Sequence, residues 1–188
     1  MKYAIVSDFD GTITCEDVGD FLLVHFGLVS VKDIEKAYLL DIPVEKWMKK
    51  YFRRIEKIPV PEIEKAIREN IKVKKFVRET IKACKKTGIP FEIASGGVDL
   101  YAGPVFRKER LKARSFFGKC SIKKGKAKIR YPFLKGLELS DFKKSRVVRY
   151  REKGYTVIFC GDGPNDLKAA LAADMVFADS RLYKICRE

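Results

Sequence analysis

Four short apolar runs separated by helical stretches constrain this chain more than anything else in it. Lys2-Tyr-Ala-Ile-Val-Ser7 stops at Asp8-Phe-Asp-Gly-Thr-Ile-Thr14, and Pro90-Phe-Glu-Ile-Ala-Ser95 runs into Gly96-Gly97. Gly154-Tyr-Thr-Val-Ile-Phe-Cys160 runs into Gly161-Asp-Gly-Pro164, and Asp174-Met-Val-Phe-Ala178 follows an Ala-rich helical stretch. Strand-length apolar runs alternating with helices predict an α/β fold, a doubly wound parallel sheet. Ligands of such sheets sit beyond the carboxyl ends of the strands. The first three polar turns all fall at such ends, so they are expected to converge on one site.

Between Cys15 and Ile71 no strand pattern intrudes. Asp17–Phe26, Val31–Leu40, Val44–Lys57 and Glu62–Asn70 carry apolar residues at three- and four-residue spacing, and Pro43, Pro59 and Pro61 punctuate them. This predicts a small helical cap, residues 15–71, inserted after the first strand of a core formed by 1–14 and 72–188. A further helical pattern covers Ile71–Lys86, and Lys119–Tyr131 alternates around Lys-Gly-Lys as a β-hairpin does.

Several function classes drop out. His25 is the sole histidine and has no nucleophile motif beside it, which removes Ser–His–Asp and Cys–His relays. The five cysteines show no CxxC spacing and predict neither a disulfide framework nor a zinc site. No run approaches membrane-spanning length and no signal-like start is present, so the chain is expected in the cytosol, off the membrane. Nothing in the pattern specifies an oligomer. The 40 basic and 25 acidic residues give a formal charge of +15. Spread over helical segments such as Val44–Lys57 and Ile71–Lys86, that charge reads as solvated faces, and no nucleic-acid motif accompanies it. The expected partner is a small anionic molecule, not a nucleic acid.

Catalysis must then come from carboxylates and lysines. Asp8 and Asp10 lie two apart on an extended segment, so their side chains are expected to point the same way. Asp162 and Asp166 lie four apart where strand passes into helix. Four carboxylates crowded at strand ends repel one another unless a cation neutralises them, and hard oxygen donors suit Mg²⁺. Opposite them, Ser95-Gly96-Gly97 is expected to open a helix and to offer a hydroxyl and N–H groups to an oxyanion. Lys143 and Lys144 sit early in the helix before the third strand. Together these groups make a phosphoryl-transfer site.

With these residues in place the chain resembles the haloacid dehalogenase superfamily, in its phosphatase branch. Asp8-Phe-Asp-Gly-Thr12 matches the first signature, Ser95 the second, a helix lysine the third and Gly161-Asp-Gly-Pro-Asn-Asp166 the fourth. The resemblance implies a phosphatase working through a phospho-aspartate. Asp8 is then nucleophile and Mg²⁺ ligand, Asp10 acid–base and metal ligand through its backbone carbonyl, and Asp162 a metal ligand. Asp166 supports the metal waters or the lysine. Ser95, Gly96 and Lys143, preferred to Lys144 by spacing, would hold the phosphoryl group. The phrase Ser95-Gly-Gly-Val-Asp99 resembles phosphoserine phosphatases; extended to Tyr101 and Pro104, with the hairpin, it resembles the methionine-salvage phosphatases. Asp17 stands where serine phosphatases place a substrate-reading cap carboxylate. Their carboxylate-binding arginine falls, in this chain, in the stretch Lys49-Lys50-Tyr51-Phe52-Arg53 with no secure counterpart. The expected substrate is a small phosphorylated metabolite. A phosphotransferase shares every residue named, a nucleic-acid-end phosphatase would reconcile site and charge, and a basic nucleic-acid-binding protein with a vestigial site is the non-enzymatic alternative.

Overall fold

The computed structural model describes residues 2–40 and 42–187. Met1, Asp41 and Glu188, which fall in the predicted core and cap ranges, lie outside them. The elements run β1 (Tyr3–Ser7), α1 (Val18–His25), α2 (Val31–Leu39), α3 (Val44–Lys50), α4 (Val60–Asn70), α5 (Val77–Thr87), β2 (Phe91–Val98) and α6 (Asp99–Glu109). They continue β3 (Arg114–Lys123), β4 (Lys126–Arg130), α7 (Leu139–Arg151), β5 (Thr156–Gly161), α8 (Leu167–Ala172), β6 (Met175–Ala178) and α9 (Ser180–Ile185).

The strands lie in the order β4-β3-β2-β1-β5-β6 and pair in parallel except β3 with β4. The expected doubly wound α/β sheet is therefore present. Strand order reverses at β1, the place where such sheets open a crevice. Register aligns the strand ends there, because Ser7 stands opposite both Ile93 of β2 and Cys160 of β5.

The hairpin is more than the sequence pattern indicated. Arg114–Gly118, the aromatic first half of β3, pairs in parallel with β2, and only the second half turns into the antiparallel pair with β4. The strand begins in the sheet because Phe116 and Phe117 pack on the core.

The helical insertion departs from expectation at two points. Val44–Lys57 is not one helix: α3 ends at Lys50, and Phe52–Lys57 forms a 3₁₀ segment that puts Phe52 and Ile55 on one buried side. The segment after Ile71 is not helical until Val77. Val73 instead bridges to Thr14, while Cys15 N–H donates to the Lys72 carbonyl and Lys74 N–H to that of Ile13. This short antiparallel contact ties together the places where the insertion leaves and rejoins the sheet.

Two apolar clusters hold the molecule. One joins Val6, Val157 and Phe159 to Val147, Ala169 and Leu182. The other runs without a break from Ile93 and Val98 through Phe9 and Tyr101 into Val18, Leu22, Met48 and Phe52 of the insertion. Helix α7 has little amphipathic pattern because two of its inward residues are cationic. Lys143 faces the strand ends, and Arg146 makes a two-pronged pair with the fully buried Glu92 of β2, which Tyr150 also meets. A buried carboxylate needs such partners. Among the described residues no helix is long and apolar enough to cross a membrane.

Candidate active site

Asp8 is the first residue beyond β1, and its N–H continues the sheet by donating to the Cys160 carbonyl at 2.9 Å. Its side chain is buried and meets Lys143, whose Nζ lies 3.0 Å from Asp8 Oδ1. The same ammonium donates to Asp166 Oδ1 at 2.6 Å and to Asn165 Oδ1 at 3.0 Å. Burial alone would pull the lysine pKa down, but Asp166 and Asp8 outweigh it and hold it above its ordinary value. Lys144 points to solvent. Burial also holds the Asp8 carboxyl well above the usual carboxylate range; Lys143 opposes this, and Asp166, Asp162 and Asp10 add to it.

Asp8, Asp162 and Asp166 each offer a carboxylate oxygen within 4.8 Å of the others. Asp166 is already occupied, since its Oδ2 accepts the N–H groups of Asp162 and Gly163, both at 3.1 Å. Asp162 accepts, among the described residues, only the Thr12 hydroxyl, at 3.1 Å. Asp8 Oδ1 has the Lys143 ammonium at 3.0 Å and, among the described residues, no other hydrogen-bond partner. A buried carboxylate oxygen left with a single partner, beside further hard donors, fits a divalent cation such as Mg²⁺, which Asp8 and Asp162 could hold with Asp166 bracing the loop. Gly11 lets the loop close over this cluster: its φ is +70°, and a Cβ there would sit 2.4 Å from Asp162 Oδ2.

Asp10 behaves differently from the two-residue alternation expected of it. The strand ends at Ser7, so Asp10 lies in the turn, and its carboxylate is not part of the three-carboxylate cluster. Oδ2 accepts from Tyr101 OH at 2.9 Å and from Ser95 Oγ at 3.2 Å, and Oδ1 accepts from Val18 N–H at 3.2 Å. Burial pushes its pKa up to about 6 against the pull of these hydrogen bonds. A carboxyl so placed is chemically able to carry a proton near neutral pH. Ser95 does not open a helix, as the sequence suggested. Strand β2 continues to Val98 with a register shift between Ala94 and Val98, and α6 starts only at Asp99. The Ser95 hydroxyl accepts from Gly97 N–H at 2.9 Å, and the Gly96 carbonyl accepts from Tyr131 OH at 2.7 Å.

Tyr101, Thr12 and Asn165 escaped assignment by sequence as site residues. Tyr101 is one hydrophobic-looking residue in α6, and only the fold turns its hydroxyl onto Asp10. Gly97 is the spatial counterpart, since a Cβ there would lie 2.2 Å from that hydroxyl. Tyr101→Phe is expected to lower kcat for an alkyl phosphate about tenfold, with a smaller loss for an aryl phosphate, whose phenolate needs little protonation. Equal losses on both would show that the hydroxyl does not serve Asp10.

Asp8, Asp10, Ser95, Gly96, Tyr101 and Asp162 line the floor of a cleft of about 280 Å³, with Lys143 and Asp166 buried behind it. Helices α2 and α3 wall it with Ile34, Val44, Trp47 and Met48. Asp17, the N-cap of α1, and Asp20 also line it. Burial, then their mutual repulsion and Asp10, raise the Asp17 carboxyl well above its ordinary value. Asp20 accepts from Tyr38 OH at 2.6 Å, and the Arg181 guanidinium stacks 3.7 Å above the Tyr38 ring. None of Lys49, Lys50 or Arg53 lines the cleft.

Comparison with known proteins agrees with this geometry. The chain is 25% identical over 194 residues to a 2-hydroxy-3-keto-5-methylthiopentenyl-1-phosphate phosphatase of Bacillus pumilus, covering 100% of this chain and 84% of that protein. It is 24% identical to the polyol phosphate phosphatase PYP1 of Saccharomyces cerevisiae, covering 95% and 80%. Among solved structures, a phospho-aspartyl intermediate analogue of phosphoserine phosphatase superposes with a TM-score of 0.76 at 25% identity, over 98% of this chain and 90% of that one. The haloacid dehalogenase-like hydrolase family matches residues 5–171. The chain belongs to the haloacid dehalogenase-like hydrolases, as a phosphoric monoester hydrolase.

Proposed function

We propose that this protein is a Mg²⁺-dependent phosphatase of small phosphomonoesters that works through a phospho-Asp8 intermediate. The observation that carries the reading is Asp8 itself: a buried carboxylate at the floor of a cleft, paired with the Lys143 ammonium and within 4.8 Å of the Asp162 and Asp166 carboxylates. Bound through Asp8, Asp162 and the backbone of Asp10, Mg²⁺ would neutralise the carboxylates and draw charge from a phosphoryl oxygen. Ser95, the Gly96 backbone and Lys143 hold the other phosphoryl oxygens. The Asp8 carboxylate bonds to phosphorus as the phosphorus–alkoxide bond breaks, and the Asp10 carboxyl gives its proton to the departing alkoxide. Asp10, now a carboxylate, takes a proton from water, whose oxygen attacks the acyl phosphate and frees phosphate and Asp8.

The insertion 15–71 acts in this reading as a cap over the core 1–14 and 72–188. It encloses too little space for duplex nucleic acid as substrate. Asp17 and Asp20 at its inner end favour a hydroxylated tail over the carboxylate of phosphoserine. The methylthiopentenyl and polyol phosphatases named above are relatives of that kind.

A panel of phosphorylated metabolites, oligonucleotide ends and an aryl phosphate tests this. Activity is expected to vanish in excess chelator, to return with Mg²⁺, and to favour no phosphoserine. Full activity in chelator overturns the metal assignment. A roughly hundredfold preference for phosphoserine, about 2.7 kcal/mol, overturns the reading of the cap.

A further inference from the structure

The excess positive charge is not spread over helices. From Arg110 to Leu137 the chain carries ten lysines and arginines and no carboxylate, against +15 for the whole molecule. Within this stretch the antiparallel part of β3 and β4 sorts side chains by face. Cys120 opposite Ile129 and Ile122 opposite Ala127 turn toward the core. The outer face pairs Lys119 with Arg130, Ser121 with Lys128 and Lys123 with Lys126. Lys124 and Gly125, both with positive φ, make the tight turn and leave Lys124 exposed at the tip.

Like charges directly opposite one another weaken a hairpin. Two of the three outer rungs are such pairs, and little relieves them. Asp99 lies 3.3 Å from Lys119, and Glu56 is engaged by the Ala127 N–H. Lys123, Lys124, Lys126, Lys128 and Arg130 make no ion pair among the described residues. A polyanion laid along this face would relieve the repulsion.

We infer that the outer face of the β3–β4 hairpin binds the phosphate backbone of double-stranded nucleic acid without regard to sequence. Side chains on one face of a strand repeat every ~6.7 Å, so three rungs span about 13 Å. A two-stranded ribbon of this kind fits a duplex groove. The face has no aromatic side chain on which unpaired bases could stack, which disfavours a single strand. It has no large apolar side chain to enter a bilayer, which disfavours an anionic membrane. It also lacks the apolar centre of a protein interface. The duplex is a docking partner of this face and not a substrate of the cleft.

The test measures fluorescence anisotropy of a labelled mixed-sequence DNA duplex titrated with the whole protein across a salt series. Five unpaired cations at about −0.9 each give a slope near −4.5 in log affinity against log salt. The triple variant K123A/K126A/K128A is expected to lose more than about tenfold in affinity at low salt and to flatten the slope to about −1.8. The triple variant K82A/K85A/K86A, on exposed positions of α5, removes equal charge and is expected to lose far less. Aryl phosphatase activity in both is expected to stay unchanged, which reports on folding separately from binding. The inference fails if both triples lose affinity equally, if wild type does not bind at low salt, or if phosphatidylserine vesicles bind the hairpin in preference to duplex.

Discussion

Asp8→Asn is expected to abolish turnover, with a loss of at least ~10⁴-fold, and to leave no phosphate on the protein. The amide nearly matches the carboxylate in shape, so the fold has no reason to fail. It is a poor nucleophile, however, and a poorer metal ligand. The pairing sharpens the effect, because among the described residues the other carboxylate paired with Lys143 is Asp166, already held by the N–H groups of Asp162 and Gly163. Asp10→Asn separates the two roles. Its expected cost is about 10²–10⁴-fold for an alcohol leaving group and less in the first step for a phenolate. A slowed second step in that variant lets phosphoenzyme accumulate. Acid-quench trapping of labelled phosphate followed by peptide mapping reads all three proteins at once. Label on the Asp8 peptide in wild type and in Asp10→Asn, but none in Asp8→Asn, supports the scheme. Label in Asp8→Asn, or a tenth of wild-type turnover, refutes it.

Lys143→Met is expected to produce the largest change in stability of any single substitution at the site. The side chain is fully buried and its ammonium is the one protein cation within 4 Å of the carboxylates of Asp8 and Asp166 among the described residues. Removing one partner of a buried ion pair costs about 3–5 kcal/mol, because the remaining charge stays buried. For a chain of this size that corresponds to a fall of about 6–20 °C in melting temperature. The measurement is a melt in chelator and another in Mg²⁺. Added Mg²⁺ supplies a substitute counter-charge, so the deficit is expected to shrink when metal is present. Lys144→Met, at an exposed position, is expected to melt like wild type. A Lys143→Met protein that melts within a degree or two of wild type in chelator would mean that the lysine only fills space.

What was legible in the sequence is what local pattern controls. Runs such as Tyr3–Ser7 and Thr156–Gly161 are strands because they are apolar, short and ended by turn residues. Their order alone implied that Asp8, Ser95 and Asp162 would meet. The misreadings arise where tertiary contacts set the conformation. Tyr51–Lys57 keeps a helical pattern, yet burying both Phe52 and Ile55 tightens it to 3₁₀. Ile71–Phe76 looked helical, but Thr14 claims Val73 as a bridge partner. The spacing of Asp8 and Asp10 suggested a common direction, and Tyr101 and Ser95, remote in sequence, turn Asp10 elsewhere. Charge was misplaced for a related reason: composition gives its amount, while only the hairpin register shows that it falls on one face.

The place of β1 in the sheet has a consequence for how the protein is made. The strand precedes both of its sheet neighbours in the chain, and those neighbours are β2 and β5. Thr156 pairs with Tyr3 across nearly the whole length of the chain. At about 5–20 residues per second, some 7–30 s pass between synthesis of the two strands. Through that interval one edge of β1 has no partner, and the Thr12–Asp162 contact cannot close. Growing chains halted before β5 should therefore be the species that chaperones hold and proteases cut. Activity should emerge abruptly, with the arrival of β5 and the Asp162–Asp166 turn that follows it.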